Sequence, residues 1–301
     1  MGAFKCSVII PTFRQTSLLE QTLTTLSRQS LARDEYELVV VDNNTDPQYS
    51  TRVREAAEKF SAVSLHEPKP GAAAARNRGV DHGASEIVVF VDDDIEVRED
   101  FLQQHLAIHQ RDEKAVVVGR VVEGLKTAGW FGRFLNDCQI INRQPDGATE
   151  VDFRQFYGAN ASVRKRWIVE AGMFDPTFLR RQDGELAFRL KKMGLNFRSC
   201  PSAVAIHHSQ FSPEGYLKRA RDNGYYLAML WTKHPELKVL ENEAQYRGLK
   251  PIVARVLGNC LFALGWLVYP ITPLFVHKGF VARVLVENVR GIRDFETRQE
   301  C

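Results

Sequence analysis

Three adjacent carboxylates, Asp92-Asp93-Asp94, follow directly on the run Glu86-Ile-Val-Val-Phe-Val91. Like charges this close repel one another and resist burial unless a cation compensates them. A hard divalent ion with oxygen ligands, Mg²⁺ or Mn²⁺, is the natural partner. Such ions keep positions open for substrate phosphates. An Asp triplet in isolation is as readily a solvated acidic turn, but its place between a strand and a helix favours the metal. Two other apolar runs also end in polar residues. Cys6-Ser-Val-Ile-Ile10 ends in Pro11-Thr12-Phe13, and Tyr36-Glu-Leu-Val-Val-Val41 ends in Asp42.

The elements that must position these residues alternate in period. The run Cys6–Ile10 reads as a buried strand closed by Pro11. Ser17-Leu-Leu-Glu20 has the capping-box spacing, with Leu18, Leu19, Leu23 and Leu26 at helical intervals behind it. Strands are expected at Tyr36–Val41, Val63–Leu65, Glu86–Val91 and Ala115–Val118. Helices are expected at Val53–Phe60, Ala72–Gly83 and Phe101–His109. Continuous β-branched runs between helices predict a mostly parallel α/β sheet covered on both faces. Ligands bind such sheets beyond the carboxyl ends of the strands, where Pro11-Thr12-Phe13, Asp42 and the Asp triplet all fall. Residues 125–157 show no clear period and read as loops and short helices. From Gly158 to Gly194 the pattern reads as two helices, Val163–Ala171 and Gly184–Met193.

The composition fits an ordinary globular chain. Of 301 residues, 44% are hydrophobic and 26% charged, and the formal net charge is +3. That charge is too small to argue for nucleic acid. The basic excess lies wholly from Arg247 onward, where eight Lys/Arg face four Asp/Glu. The cysteines Cys6, Cys138, Cys200, Cys260 and Cys301 are scattered and form no CxxC, so a reducing compartment is expected. The N-terminus runs straight into a strand pattern, which reads as lacking a secretory leader. Leu257–Val276 carries no formal charge over twenty residues, fourteen of them apolar or aromatic. That is a bilayer-spanning length, but Pro270 and Pro273 favour a re-entrant or interfacial hairpin. Beyond it, Val281, Val284, Leu285, Val289 and Ile292 fall on one helical stripe, with Lys278, Arg283, Arg290 and Arg293 on the polar side. This is the pattern of a basic helix lying on an anionic membrane; a helix packed on the rest of the chain, or a dimer contact, is the plainer reading.

The ordered set of motifs resembles family 2 glycosyltransferases of the GT-A fold. The matching segments are Ser7-Val-Ile-Ile-Pro-Thr-Phe-Arg14, Val39-Val-Val-Asp42-Asn43-Asn44 and Gly71-Ala-Ala-Ala-Ala-Arg76-Asn77-Arg78-Gly79. After them come Asp92-Asp93-Asp94, Gly158-Ala159-Asn160, Gly172-Met-Phe-Asp175, Gln182-Asp183-Gly-Glu185 and Ala205-Ile-His207-His208. Together they span about residues 5 to 210. The resemblance implies a nucleotide-sugar-binding half at 1–120 and an acceptor-binding half at 121–230; the pattern of the tail adds a C-terminal helical, membrane-associating region at 231–301. The resemblance also implies that Pro11, Thr12, Phe13, Asp42, Arg76, Asp92 and Asp93 bind the nucleotide sugar. In it, Asp42 takes the base, Arg76 faces the base or the diphosphate, and Asp92 holds the ribose. It implies that Asp94 and His207, with His208 as the alternative, hold Mn²⁺ or Mg²⁺. Asp183 is implied as the general base of a single displacement that inverts the anomeric centre, with Glu185 as a fallback. The chain departs from the family at Gln182, where the motif's first acidic position has become an amide.

The activity implied is transfer of one sugar from a nucleotide-diphosphate sugar to a glycan or lipid-linked acceptor. The donor is read as a UDP-sugar, although guanine or thymine would meet the same Asp42. The setting implied is polysaccharide, glycolipid or envelope glycan synthesis in the cytoplasm, peripheral to the inner face of the membrane. No Q-x-x-R-W motif follows, so transfer is expected to be non-processive. A dinucleotide oxidoreductase needs G-x-G-x-x-G where Pro11-Thr12-Phe13-Arg14 stands, and a P-loop NTPase needs a Walker segment that is absent. A nucleotidyltransferase, or a catalytically weak nucleotide-sugar-binding protein of the same fold, are the alternatives.

Overall fold

The computed structural model describes residues 4–14, 16–124, 131, 149–208, 212–240 and 273–299. By internal contacts the chain forms two compact units. One comprises residues 1–124 and 139–209, the other 125–138 and 210–301.

The first unit is built on an eight-stranded sheet. Its strands are β1 (Cys6–Thr12), β2 (Tyr36–Asp42), β3 (Val63–His66), β4 (Ile87–Val91), β5 (Ile95–Val97), β6 (Ala115–Glu123), β7 (Asn160–Arg164) and β8 (Asn196–His207). Their spatial order is β3-β2-β1-β4-β7-β6-β8-β5. β3, β2, β1 and β4 run parallel, and so do β6 and β8. β7 is antiparallel to both neighbours, and the edge strand β5 is antiparallel to β8. Helices α1 (Thr16–Leu26), α2 (Pro47–Lys59), α3 (Ala72–His82), α4 (Phe101–His109), α5 (Lys165–Glu170) and α6 (Gln182–Lys192) connect the strands.

The apolar runs are continuous because both faces of the sheet are covered. Val8, Ile10, Leu38 and Val40 share a core with Leu19, Leu23 and Val53 of α1 and α2. On the opposite face Ile9 meets α3. A Cβ on Gly79 would stand 2.3 Å from Ile9 and 3.3 Å from Val41, so only glycine lets α3 lie this close to the sheet. α1 begins at Thr16, which puts Ser17 in its first turn rather than at its cap.

The helix expected over Val163–Ala171 begins only at Lys165; Val163 and Arg164 belong instead to the strand Asn160–Arg164. This strand is β7, which completes the sheet between β4 and β6. The segment Asn-Ala-Ser-Val-Arg is too short and too polar to announce a strand. Its polar side chains are buried against α4 instead. Asn160 Nδ2 donates to the carbonyls of Arg120 and Ala203, which fixes its oxygen toward His105 Nε2 at 2.9 Å. His105 must therefore donate from Nε2 and accept at Nδ1 from Ser162 Oγ, 2.9 Å away. Ser162 in turn accepts from His109 Nε2 at 2.8 Å. Both imidazoles are neutral. Burial pushes His105 down to about 4, opposed by the Asn160 bond. Burial, reinforced by His105 and Arg164, pushes His109 down to about 3.

The second unit contains α7 (Pro213–Lys233), α8 (Leu237–Leu240) and α9 (Pro273–Gln299). Most of the apolar run at 257–276 lies outside the described residues; its last four residues open α9. The buried stripe of α9 is Phe280, Val286, Val289, Ile292 and Phe295, whereas Val281 is exposed. That stripe is turned onto α7. A Cβ on Gly224 would stand 1.8 Å from the Asn288 carbonyl oxygen, and one on Gly291 1.8 Å from that of Arg221. Arg221 pairs with Asp294 at 2.6 Å, and Tyr225 meets Phe295 edge-on. Among the described residues no helix is long and apolar enough to cross a membrane.

The His105–Ser162–His109 chain predicts acid sensitivity. Both folded-state values lie below the unfolded value of ~6.5, so the unfolded chain binds more protons as pH falls beneath that point. Stability is therefore complete above about pH 6.5 and declines toward pH 4, by about 1.4 kcal/mol per pH unit for each histidine. Urea melts of wild type and H109L between pH 7 and 5 should show a shallower decline in the variant.

Candidate active site

All three polar strand ends lie on one rim of the first unit. β1 and β2 are in register there, with Thr12 opposite Asp42. Thr12 Oγ1 donates to Asp93 Oδ2 at 2.6 Å, and the Phe13 amide reaches the same oxygen at 3.3 Å. Asp93 thus ties the end of β1 to the triplet. Burial, opposed by the Thr12 bond and reinforced by Asp94 and Asp92, pushes Asp93 up to about 8. Pro11 is buried within β1, while the Phe13 ring is half exposed beside the Arg14 guanidinium. Asp42 is buried; its Oδ1 accepts from the Asn44 backbone at 2.9 Å and side chain at 2.6 Å. Its Oδ2 lies 3.4 Å from His66 Nδ1.

Asn43 carries a role that no motif suggested. Its Nδ2 donates to the carbonyls of Glu67 and Lys69, and its Oδ1 accepts from the Gly71 amide at 2.7 Å. These bonds stitch the loop that opens α3 to the end of β2.

Arg76 is the centre of the site. Its side chain is 3% exposed. Nη2 donates to Asp92 Oδ1 at 2.6 Å and Nη1 to Asp183 Oδ1 at 2.9 Å. Burial opposes the charge, but Asp183 and Asp92 outweigh it and hold the guanidinium above its ordinary value. The group also lies 5.6 Å from the centre of the Phe174 ring, which meets Phe90 edge-on. The adjacent Asn77 exchanges two hydrogen bonds with the Phe174 backbone, at 2.8 and 2.9 Å. One dipeptide of α3 therefore holds both the turn around Phe174 and the carboxylate at the start of α6. Gly158 closes over this clamp: a Cβ there would stand 2.6 Å from Arg76 Cζ and 2.8 Å from Asp183 Oδ1.

Glu185 is not placed as a second base. It is fully buried and pairs with Arg189, whose Nη2 also donates to the Met173 carbonyl at 2.6 Å. Gln182 Oε1 is buried without a hydrogen-bond donor, one residue from Asp183.

The third cluster joins Asp94, His207 and Glu123. His207 Nε2 lies 3.1 Å from Asp94 Oδ2, and Nδ1 lies 2.7 Å from Glu123 Oε1. Burial lowers the affinity of His207 for its second proton, but the two carboxylates outweigh burial and push it up to about 10. His208 turns the other way, with Nε2 on Glu96 Oε2 at 3.0 Å. Nothing in the local sequence marked Glu123; only the β6–β8 register, which sets it opposite His207, brings it in.

These groups suit a hard divalent ion. Asp94 Oδ1 is buried with no hydrogen-bond partner, and a carboxylate beside an imidazole nitrogen is a fitting donor pair. Among the described residues no three such side chains form a closed cage. An ion held at Asp94 and His207 would draw its other ligands from water and substrate oxygens.

The sequence profile of Glycosyl transferase family 2 matches residues 7–170, more than half of the chain. The chain belongs to that family. It is 25% identical to the chondroitin synthase of Escherichia coli in a 265-residue alignment that covers 76% of this chain and 38% of that protein. The chain therefore spans well under half of that relative. It is 26% identical over 217 residues to the amylovoran biosynthesis glycosyltransferase AmsB of Erwinia amylovora, covering 67% of this chain and 69% of that protein. In three dimensions it resembles the mannosyltransferase PcManGT of Pyrobaculum calidifontis, solved with GDP-Man and Mn²⁺. The TM-score is 0.69 at 21% identity, over 98% of this chain and 88% of that one. S. aureus TarS 1-349 with UDP-GlcNAc aligns with a TM-score of 0.55 at 16% identity, over 99% of this chain and 92% of that one. The fold of this family 2 member is GT-A-like.

Two substitutions test the clamp. R76M should leave Asp92 and Asp183 uncompensated and lower unfolding free energy by about 3 kcal/mol in chemical denaturation. G158A should crowd Arg76 and Asp183 apart and cost tenfold or more in turnover. Its melting temperature should fall by only a few degrees.

Proposed function

We propose that this family 2 member is an inverting glycosyltransferase that moves one sugar from a nucleoside-diphosphate sugar, read as a UDP-sugar, to an acceptor hydroxyl of a growing glycan. The observation that carries this reading is the shared guanidinium. Arg76 holds Asp92 of the strand-end rim and Asp183 of α6 within one hydrogen bond each. A donor-side carboxylate and a candidate base so linked border one reaction space.

Asp183 is the general base. It takes the proton as the acceptor oxygen attacks the anomeric carbon, and the bond from that carbon to the diphosphate oxygen breaks with its electron pair going to the diphosphate. Arg76 Nη1 donates to Asp183 Oδ1 and fixes the direction of the carboxyl group. Asp92 and Asp42 orient the nucleoside, with Phe13 offering an exposed aromatic face at the same rim. Asp94 and His207 would hold Mn²⁺ or Mg²⁺. A bound divalent ion would offset the negative charge gathering on the departing diphosphate. Support comes from the neighbours' ligands, GDP-Man with Mn²⁺ in one case and UDP-GlcNAc in the other. The relatives named for chondroitin and amylovoran support a polysaccharide or envelope glycan as acceptor class.

We assign the enzyme to the cytoplasmic side of an anionic membrane, with non-processive transfer to a glycan or lipid-linked acceptor. The exposed Arg290 and Arg293 of α9 support peripheral attachment.

The test is metal-dependent turnover against a panel of UDP-, GDP- and TDP-sugars. With the active donor and Mn²⁺, D94A and D183A should each lose at least a hundredfold in transfer, and D183A should keep nucleotide binding. Unchanged hydrolysis and transfer in both variants would remove the assigned site. In parallel, R290E/R293E should reduce cosedimentation with phosphatidylglycerol vesicles severalfold.

A further inference from the structure

We propose that Glu123 is a positioning residue that turns His207 toward the cation; the inference rests on the metal reading of Asp94 and His207 above. A carboxylate can only accept a hydrogen bond. The 2.7 Å contact between Glu123 Oε1 and His207 Nδ1 therefore requires the proton on Nδ1. Nε2 faces the Asp94 carboxylate at 3.1 Å, which calls for a proton there as well. A cation taken up beside Asp94 would replace that proton, leaving the Nε2 lone pair to the ion and the ring's remaining proton on Nδ1, held by Glu123. The ring is only 7% exposed and Glu123 only 12%, so water competes poorly for either nitrogen. A ligating imidazole needs this partner on its far nitrogen to set its tautomer and direction.

The neighbouring histidine shows the opposite arrangement. His208 gives Nε2 to Glu96, and its Nδ1 is buried with no hydrogen-bond partner. That Nδ1 lies 2.9 Å from where a Cβ on Gly124 would stand, against the backbone. Its lone pair is aimed into the protein, so of the two adjacent histidines the carboxylate partners select His207. The side-chain bond is not what holds the strands together. Glu123 and His207 are already opposite one another in the β6–β8 ladder, which continues through the Gly124 amide to the His207 carbonyl at 2.8 Å.

The experiment is a Mn²⁺ titration of the full chain followed by electron paramagnetic resonance, alone and with UDP or GDP, at one fixed pH. E123A should bind Mn²⁺ about 10–100-fold more weakly than wild type. E123Q keeps an oxygen that accepts from Nδ1 and should recover most of the loss, which a purely structural defect would not predict. Melting temperatures without metal identify any variant that is simply unfolded. If H207A and D94A weaken Mn²⁺ binding while E123A matches wild type, the positioning role is overturned and the metal site stands. If H207A and D94A also match wild type, the metal reading fails and this inference with it. Should E123A not fold, nitrogen-15 spectra of histidine-labelled wild type loaded with Mg²⁺ decide the matter: an Nδ1–H tautomer for His207 supports the role, and an Nε2–H tautomer overturns it.

Discussion

The site depends on one buried cation. A guanidinium removed from water needs compensation from more than one acceptor, and Arg76 finds it in Asp92 and Asp183, which are far apart in sequence. Because the guanidinium is planar, its two Nη donors fix the directions of both carboxylates at once. Phe174 lies against its face and Gly158 covers it without a side chain. Such an ion group contributes less stability than apolar residues of the same volume would. What it supplies is position: the carboxylate at the end of β4 and the one at the start of α6 cannot shift independently. The neighbouring Glu185–Arg189 pair has the same economy, anchoring the turn at Ala171–Met173 so that Phe174 meets Arg76.

How much of this was legible in the sequence follows from how each element is stabilised. β1, β2 and β4 are buried on both faces, so they appear as unbroken apolar runs, and Phe101–His109 matches α4 end to end. β7 gave no such signal. Its buried polar side chains, Asn160 and Ser162, find partners that include the imidazoles of α4, and a pattern of hydropathy cannot register a hydrogen bond. In β8 burial alternates over Asn196–Ser199 and again over Ser202–His207, and the phase breaks between them, where the ladder slips between Gly119 and Arg120. Asp92 and Asp94 stand out in the sequence because acids in a row are conspicuous, whereas Asp183 was marked only by the resemblance of its segment to a family motif. Asn43 and Glu123 were not legible, since each acts on residues that only the folded chain brings near.

The tail shows a different limit. An amphipathic repeat says that one face of a helix is covered; it does not say by what. In α9 the covering element is α7, and the two glycines at the crossing let the backbones approach where side chains would hold them apart. Val289 and Ile292 lie in that covered face, while Val281 does not. Any lipid contact of this helix is thereby left to its outward arginines, which attract anionic surfaces without needing an apolar stripe.

The histidines carry the same lesson at the level of single atoms. His105 and His109 are buried beside an amide and a hydroxyl, which cannot compensate a positive charge, so both rings stay neutral and serve as links between α4 and β7. His207 is nearly as buried but lies between two carboxylates, and its affinity for the proton rises instead. The environment that stabilises a second proton on Nε2 is also the one that would stabilise a metal ion there, because both are cations meeting the same lone pair and the same Asp94 oxygen. Burial alone therefore does not separate a structural histidine from a ligand. The charge of what faces each nitrogen does, and it is the long-range pairing of β6 with β8 that puts a negative group on both sides of this ring.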